Sequence, residues 1–201
     1  MKVLITGAGG MVGRILTEHC AAIGDTIFAY DHRSLDIADE AHVRETFERD
    51  RPDAVFNCAA WTDVDGCESN VERAFRDNAR GPQILAAESK RVGASLLTIS
   101  TDYVFDGEKD GFYTQRDEAR PISVYGKAKL EGERLAQAAC ERAIIIRTGW
   151  IFGAGGNNFL SKVIELARQG VSLKAIHDAY GTPTYAVDLA RRMRELAARD
   201  L

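Results

Sequence analysis

Short apolar runs alternate with amphipathic stretches along the chain. Val3–Thr6 is apolar and closes on Gly7, the pattern of a strand buried on both faces. From Met11 to Ala22, apolar residues fall at helical spacing (Met11, Ile15, Leu16, Ala22), which predicts the first helix. Thr26–Tyr30 predicts a second strand, Asp39–Arg49 a helix with Val43 and Phe47 one turn apart, and Ala54–Asn57 a third strand behind Pro52. Glu68–Arg91 predicts one or two helices, with a kink or break at Gly81-Pro82. Ser95–Ser100 predicts a fourth strand and Tyr125–Cys140 a helix. Ala143–Arg147 predicts a fifth strand, whose Ile144-Ile145-Ile146 centre suits burial on both faces. Phe159–Arg168 and Val187–Ala198 predict further helices.

This alternation predicts an α/β fold: a doubly wound, Rossmann-like parallel sheet with helices on both faces and right-handed crossovers. The organisation changes after Phe152, in the run Gly153–Asn158. Residues 1–152 are therefore expected to form a dinucleotide-binding domain, with 153–201 a smaller substrate-facing region packed on it. A loop inside one domain is the other reading of the same run.

Composition narrows this little. With 45% hydrophobic and 28% charged residues, the chain of 201 is globular in type, which disfavours disorder and disulfide scaffolds. A net charge of -4 gives no electrostatic reason to expect nucleic acid. Glycines interrupt the N-terminal apolar run where a signal peptide needs its core, and no run approaches the roughly 20 residues of a membrane span. Cys20, Cys58, Cys67 and Cys140 form no Cys-x-x-Cys pair, so free thiols in a reducing cytoplasm are expected. The scattered histidines show no metal-ligand spacing, and no metal is expected.

Two motifs carry chemistry. Gly7-x-x-Gly10-x-x-Gly13 joins the first strand to the first helix. Such a loop needs glycine for a tight turn, for close approach to a pyrophosphate, and for helix-strand packing, while the helix start (Met11, Val12) offers its dipole to phosphate. A plain strand-to-helix turn is the alternative. The second strand ends at Asp31, suited to a ribose hydroxyl and hence NAD; Arg33 suits a 2′-phosphate and hence NADP, so the preference stays open. Asp36 and Ile37 follow, where a carboxylate and an apolar side chain would meet adenine.

The second motif is Tyr125-x-x-x-Lys129, which puts both side chains on one helix face. A phenol is a poor acid or base at neutral pH, and a nearby ammonium is expected to lower its pKa and let it exchange a proton with a carbonyl or alcohol oxygen. Ser100 and Thr101 end the fourth strand, on the edge where α/β ligands bind, and either hydroxyl suits a substrate carbonyl or the nicotinamide.

These segments resemble the extended short-chain dehydrogenases/reductases, and within them the dTDP-4-dehydrorhamnose reductase family. The resemblance rests on Ile5–Gly13, Arg51–Ala60, Ser100-Thr101-Asp102-Tyr103-Val104-Phe105-Asp106-Gly107, Pro121–Lys129, Arg147–Gly153 and Gly181–Thr184. Tyr103 stands where related dehydratases usually carry a Glu, which disfavours elimination. The resemblance implies that Tyr125 donates the proton, Lys129 tunes it and Thr101 binds the carbonyl oxygen. It implies dinucleotide contacts at Gly7, Gly10, Met11, Asp31, Asp36, Ala59, Ala60, Thr62 and Ser100, with substrate facing Asp102, Tyr103 and Trp150. It implies NADPH, with NADH as the alternative, reducing the keto group of a dTDP-linked 6-deoxy sugar. Cys58 stands where the family more often has Ala. Relatives continue past the last motif, so the sugar-binding part is expected to be incomplete at Leu201, and its uncovered apolar surface leaves a homodimer open. A non-catalytic NADP-binding module and a nucleotide-sugar epimerase are the competing readings.

Overall fold

In the computed structural model, which describes residues 1–156, 159–173 and 177–199, the first strand becomes the hinge of the sheet. β1 (Lys2–Thr6) pairs with β2 (Thr26–Tyr30) on one side and β3 (Ala54–Asn57) on the other. β4 (Ser95–Thr101) and β5 (Ala143–Thr148) follow, giving the parallel order β2-β1-β3-β4-β5. The chain winds outward from β1 to β2, then returns to β3. The sheet therefore reverses direction between β1 and β3, and a crevice opens at their carboxyl ends.

Period-two alternation divides the core. Val3, Ile5, Phe56 and Leu97 face α1 (Met11–Ala22) and α8 (Ala186–Ala197), where Leu16 and Met193 complete the layer. Leu4, Val55 and Leu96 face the other way, against α2 (Glu40–Asp50), α5 (Gly81–Val92) and α6 (Val124–Ala139). The Asp39 carboxylate caps α2 by accepting from the His42 N–H at 3.1 Å. Ser123 does the same for α6, accepting from the Gly126 N–H at 3.1 Å, so the helix with the Tyr-x-x-x-Lys motif starts at a defined point.

Three expectations shift. The helical run foreseen from Glu68 begins earlier, as α3 (Val64–Ser69) capped by Asp63; Asn70 then caps α4 (Val71–Phe75). The irregularity foreseen at Gly81-Pro82 lies one turn before it, as a π-helical segment Arg76–Arg80; Pro82 itself occupies the first turn of α5, where its missing N–H costs nothing. β5 is half-buried rather than buried on both faces, because among the described residues it is the last strand of the sheet. A small parallel pair, β6 (Ile151–Phe152) with β7 (Thr184–Tyr185), has no counterpart in the sequence reading. Between them α7 spans Phe159–Arg168, as its periodicity predicts. Asn157 and Asn158 of the expected connecting loop, residues 174–176, and residues 200–201 with Leu201, lie outside the described residues. No helix among the described residues is long and apolar enough to cross a membrane.

α8 is tied back to the start of the chain by an ion-pair cluster on the buried side chain of Asp25. Arg194 donates from Nε and Nη2 to Asp25 at 2.5 and 2.9 Å, and the Met1 amine donates to the same carboxylate at 2.9 Å. The Arg194 guanidinium holds the Asp25 carboxyl down at about 2, below its ordinary 3.8. A lowered folded-state pKa means stability that is present above pH 4 and lost as pH falls toward 2. The shift corresponds to about 2 kcal/mol. We predict that Asp25→Asn removes about that much stability at pH 7. In urea titrations from pH 7 to pH 2, the variant should also lose the part of the acid dependence that this carboxylate supplies.

Candidate active site

A cleft of about 460 Å³ opens at the carboxyl ends of β1, β3, β4 and β5. Its floor is a set of loops that approach one another closely. Gly7 has φ +66°, and a Cβ there would lie 2.6 Å from the Cys58 carbonyl carbon and from the Ala59 nitrogen. A Cβ on Gly13 would run into the Gly7 carbonyl oxygen. Gly10 precedes α1 with no side-chain cap, which leaves the first turn of the helix facing the cleft through Gly10, Met11 and Val12. This cradle fits a dinucleotide pyrophosphate: any side chain at residue 7 or 13 would disrupt it.

Beneath it, a buried polar ladder joins three strands. Thr6 Oγ1 donates to Asn57 Oδ1 at 2.7 Å, and Asn57 Nδ2 donates to Thr98 Oγ1 at 2.9 Å. Asn57 Oδ1 also accepts from the Ala59 N–H at 3.2 Å, fixing the loop Cys58-Ala59-Ala60 that lines the cleft. Thr62 lies further along the same wall.

The catalytic candidates converge at the opposite wall. Thr101 ends β4 and caps a 3-10 turn, Asp102–Val104, accepting from the Tyr103 N–H at 3.2 Å and donating to Asp102 Oδ1 at 3.1 Å. Tyr125 sits in the first turn of α6, 8% exposed, with its ring edge-on to Tyr103 at 5.7 Å. Thr101 and Tyr125 line the same wall of the cleft. Lys129, one turn on, is buried and donates to the Ile99 carbonyl at 2.7 Å.

The electrostatics differ from the sequence expectation. Burial pushes the Tyr125 phenol up to about 12, against the Thr101 hydrogen bond that pulls it down. The same burial lowers Lys129 to about 8, opposed by the charge of Glu133. Burial of both groups thus outweighs the stabilisation of a phenolate by lysine.

Trp150 follows β5 with φ +46°, a left-handed backbone that is an outlier for an aromatic residue. Its indole lies against Gly181, half-exposed, on the cleft wall; it is not a core aromatic. Strain of this kind concentrates at ligand sites. Ser100 also lines the cleft, but its hydroxyl donates to buried Glu133.

The structure thus brings together Gly10, Met11, Val12, Ala59, Ala60, Thr62, Ser100, Thr101, Asp102, Tyr103, Tyr125, Lys129 and Trp150 on one cleft, with Gly7 behind its floor. Four residues fall outside its lining. Asp31 turns its carboxylate onto its own loop, accepting from the Arg33 N–H at 3.0 Å and the Ser34 N–H at 2.9 Å. Arg33 is exposed beside it. Asp36 pairs with Arg76 and accepts from the Ala38 N–H at 3.0 Å. Ile37 is buried in the core, where a Cβ on Gly81 would lie 2.6 Å from its Cδ1. Val64, at the start of α3, lines the cleft without any motif to reveal it, and Thr148, Gly149 and Ile151 line it from within the Arg147–Gly153 segment.

The family described as the RmlD substrate binding domain matches residues 1–201. The chain belongs to that family. This RmlD-family chain is 40% identical over 195 residues to the spore coat polysaccharide biosynthesis protein SpsK of Bacillus subtilis (strain 168), covering 97% of this chain and 69% of that protein. It is 40% identical over 199 residues to the dTDP-4-dehydrorhamnose reductase of Aggregatibacter actinomycetemcomitans, covering 98% of this chain and 68% of the relative. The crystal structure of dTDP-4-dehydrorhamnose reductase from Bacillus anthracis str. Ames, in complex with NADP, superposes with a TM-score of 0.95 at 35% identity, over 99% of this chain and 72% of that one.

The glycine cradle generates a test. Gly7→Ala forces a side chain into backbone at a left-handed position. We expect the variant to bind NADPH at least about tenfold more weakly, read by cofactor fluorescence, and to melt several degrees lower. Unchanged affinity would show that the cradle does not hold the dinucleotide.

Proposed function

We propose that the chain reduces the 4-keto group of a dTDP-linked 6-deoxy sugar with NADPH, converting dTDP-4-dehydrorhamnose to dTDP-L-rhamnose. The observation that carries this reading is the meeting of Thr101, Tyr125 and Lys129 at one end of a cleft whose other end is the glycine cradle. Gly7, Gly10, Met11, Val12, Ala59, Ala60 and Thr62 would hold the dinucleotide, and Lys129 its nicotinamide ribose. Asp31, with its carboxylate tied into its own turn, leaves Arg33 exposed beside it for a 2′-phosphate, which favours NADPH over NADH. When bound, NADPH supplies the hydride for the carbonyl carbon.

The chain's own part is the proton and the oxygen. Thr101 and Tyr125 would both donate hydrogen bonds to the keto oxygen, polarising the carbonyl. As charge grows on that oxygen, Tyr125 gives up its phenolic proton. A phenol held at about 12 is fully protonated at neutral pH, as a donor must be, and it remains far more acidic than a sugar alcohol. Asp102, Tyr103 and Trp150 would face the sugar, with residues from 153 onward completing its side of the cleft.

We expect Tyr125→Phe to lower the turnover number about 10²- to 10⁴-fold while NADPH affinity changes less than about threefold. The check is keto-sugar-dependent absorbance loss at the cofactor band beside a fluorescence titration. Unaltered turnover would remove Tyr125 from the chemistry. Cofactor binding without turnover by the unmodified chain would favour the binding-module reading.

A further inference from the structure

One buried carboxylate beneath this site has no part in the reading above. Tyr125, Lys129 and Glu133 occupy successive turns of one face of α6. Glu133 is buried, and both its oxygens are taken. Oε1 accepts from the Ser100 hydroxyl and from Arg147 Nε at 3.0 Å; Oε2 accepts from Arg147 Nη2 at 2.6 Å and Nε at 3.1 Å. Arg147 reaches in from β5, with its guanidinium over the Phe105 ring at 5.2 Å. A cavity of about 10 Å³, just large enough for one water, lies between Asn78, Thr98, Ser100, Lys129 and Glu133.

We propose that Glu133 is a positioning residue for the reaction: anchored by Arg147, it fixes the Ser100 hydroxyl and supplies the negative charge that keeps the buried Lys129 ammonium protonated beneath Tyr125. This rests on the reductase reading above. The charged and titratable groups around Lys129 are few. Tyr125 and Glu133 share its helix, Asp102 lies across the cleft, Arg147 comes from β5 behind Glu133, and the π-helical segment contributes uncharged Asn78. Burial drives Lys129 toward its neutral form, and Glu133 is the carboxylate that acts against burial. Without it, Lys129 and Arg147 are two cations with no anion between them.

The test separates charge from shape. Glu133→Gln keeps the shape and removes the charge; Glu133→Asp keeps the charge on a shorter arm. In protein labelled with ¹³C at lysine Cε, the Lys129 resonance, assigned by its loss in Lys129→Met, is followed through pH. The Lys129 pKa is expected to fall by about one unit in Glu133→Gln and to stay near its original value in Glu133→Asp. The basic limb of the turnover profile is expected to move with it, leaving the Gln variant about tenfold slower above pH 8. If Glu133→Gln does not fold, the double variant Glu133→Gln/Arg147→Met, which removes the ion pair whole, is expected to show a smaller fall in the same direction, because a neighbouring cation leaves with the anion. A Lys129 titration unmoved by loss of the charge, or moved more by Asp than by Gln, overturns the proposal. Absence of keto-sugar turnover in the unmodified chain would instead sink the reductase reading, and the lysine titration would still decide the role of Glu133.

Discussion

No side chain fits at residue 7, and much of the site follows from that. β1 and β3 are neighbours at the point where the sheet reverses, so the loops leaving them rise side by side. The β1 loop must clear the Cys58-Ala59 backbone at once, which demands a left-handed turn and leaves no room for a Cβ. The Ala8 N–H then reaches the Tyr30 carbonyl at 2.9 Å and the Cys58 N–H the Thr6 carbonyl at 3.1 Å, binding the loop to both neighbouring strands. Only with the loop so flattened can α1 start directly over the crevice. Asn57 secures the other side of the junction. Its amide spans Thr6 and Thr98 across three strands, so the register of the sheet and the height of the cleft floor are set by one buried side chain.

Tyr125 and Lys129 are both buried at the cleft, and burial works on them in one direction: toward neutrality. The phenol moves up and the lysine down, each for the same reason. For a tyrosine that donates a proton this leaves the population unchanged, since the phenol is neutral at pH 7 with or without the shift. For a lysine whose use is its charge it is adverse, and a carboxylate buried beside it offsets it. The two residues of one motif therefore need different surroundings. Tyr125 has hydroxyls and rings, namely Thr101 and Tyr103; Lys129 has a carbonyl and a carboxylate.

What could be read from residues alone divides along the range of the interactions involved. β3 and α1 fall where periodicity places them, because each buries a continuous local face, and β2, half-buried at the end of the sheet, falls on its apolar run. The cradle and the tyrosine-lysine pair are legible because their spacing is itself the requirement. The Asp63 and Asn70 caps are short polar signals that periodicity does not register, so the helix begins one turn before the periodicity places it. β6 and β7 are two residues each and pair across more than thirty positions, which leaves no local pattern. The direction of the Tyr125 shift is illegible for a different reason: spacing puts the lysine on the right face but cannot say how deeply the phenol is buried.

The two elements that build the site change character together as they approach it. On β4, alternate residues facing α6 run Leu96, Thr98, Ser100: an apolar core position, then a hydroxyl bonded to Asn57, then a hydroxyl bonded to Glu133. α6 runs antiparallel past them, from Tyr125 and Lys129 at the cleft through Glu133 to Ala136 in the core. Polar positions on one element thus meet polar positions on the other, and apolar meets apolar. A slip of one residue in β4 would put Ile99 under Lys129 and leave Glu133 without its hydroxyl. The register of the central sheet is therefore also the register of the chemistry, and the Thr6-Asn57-Thr98 ladder that pins the first pins the second.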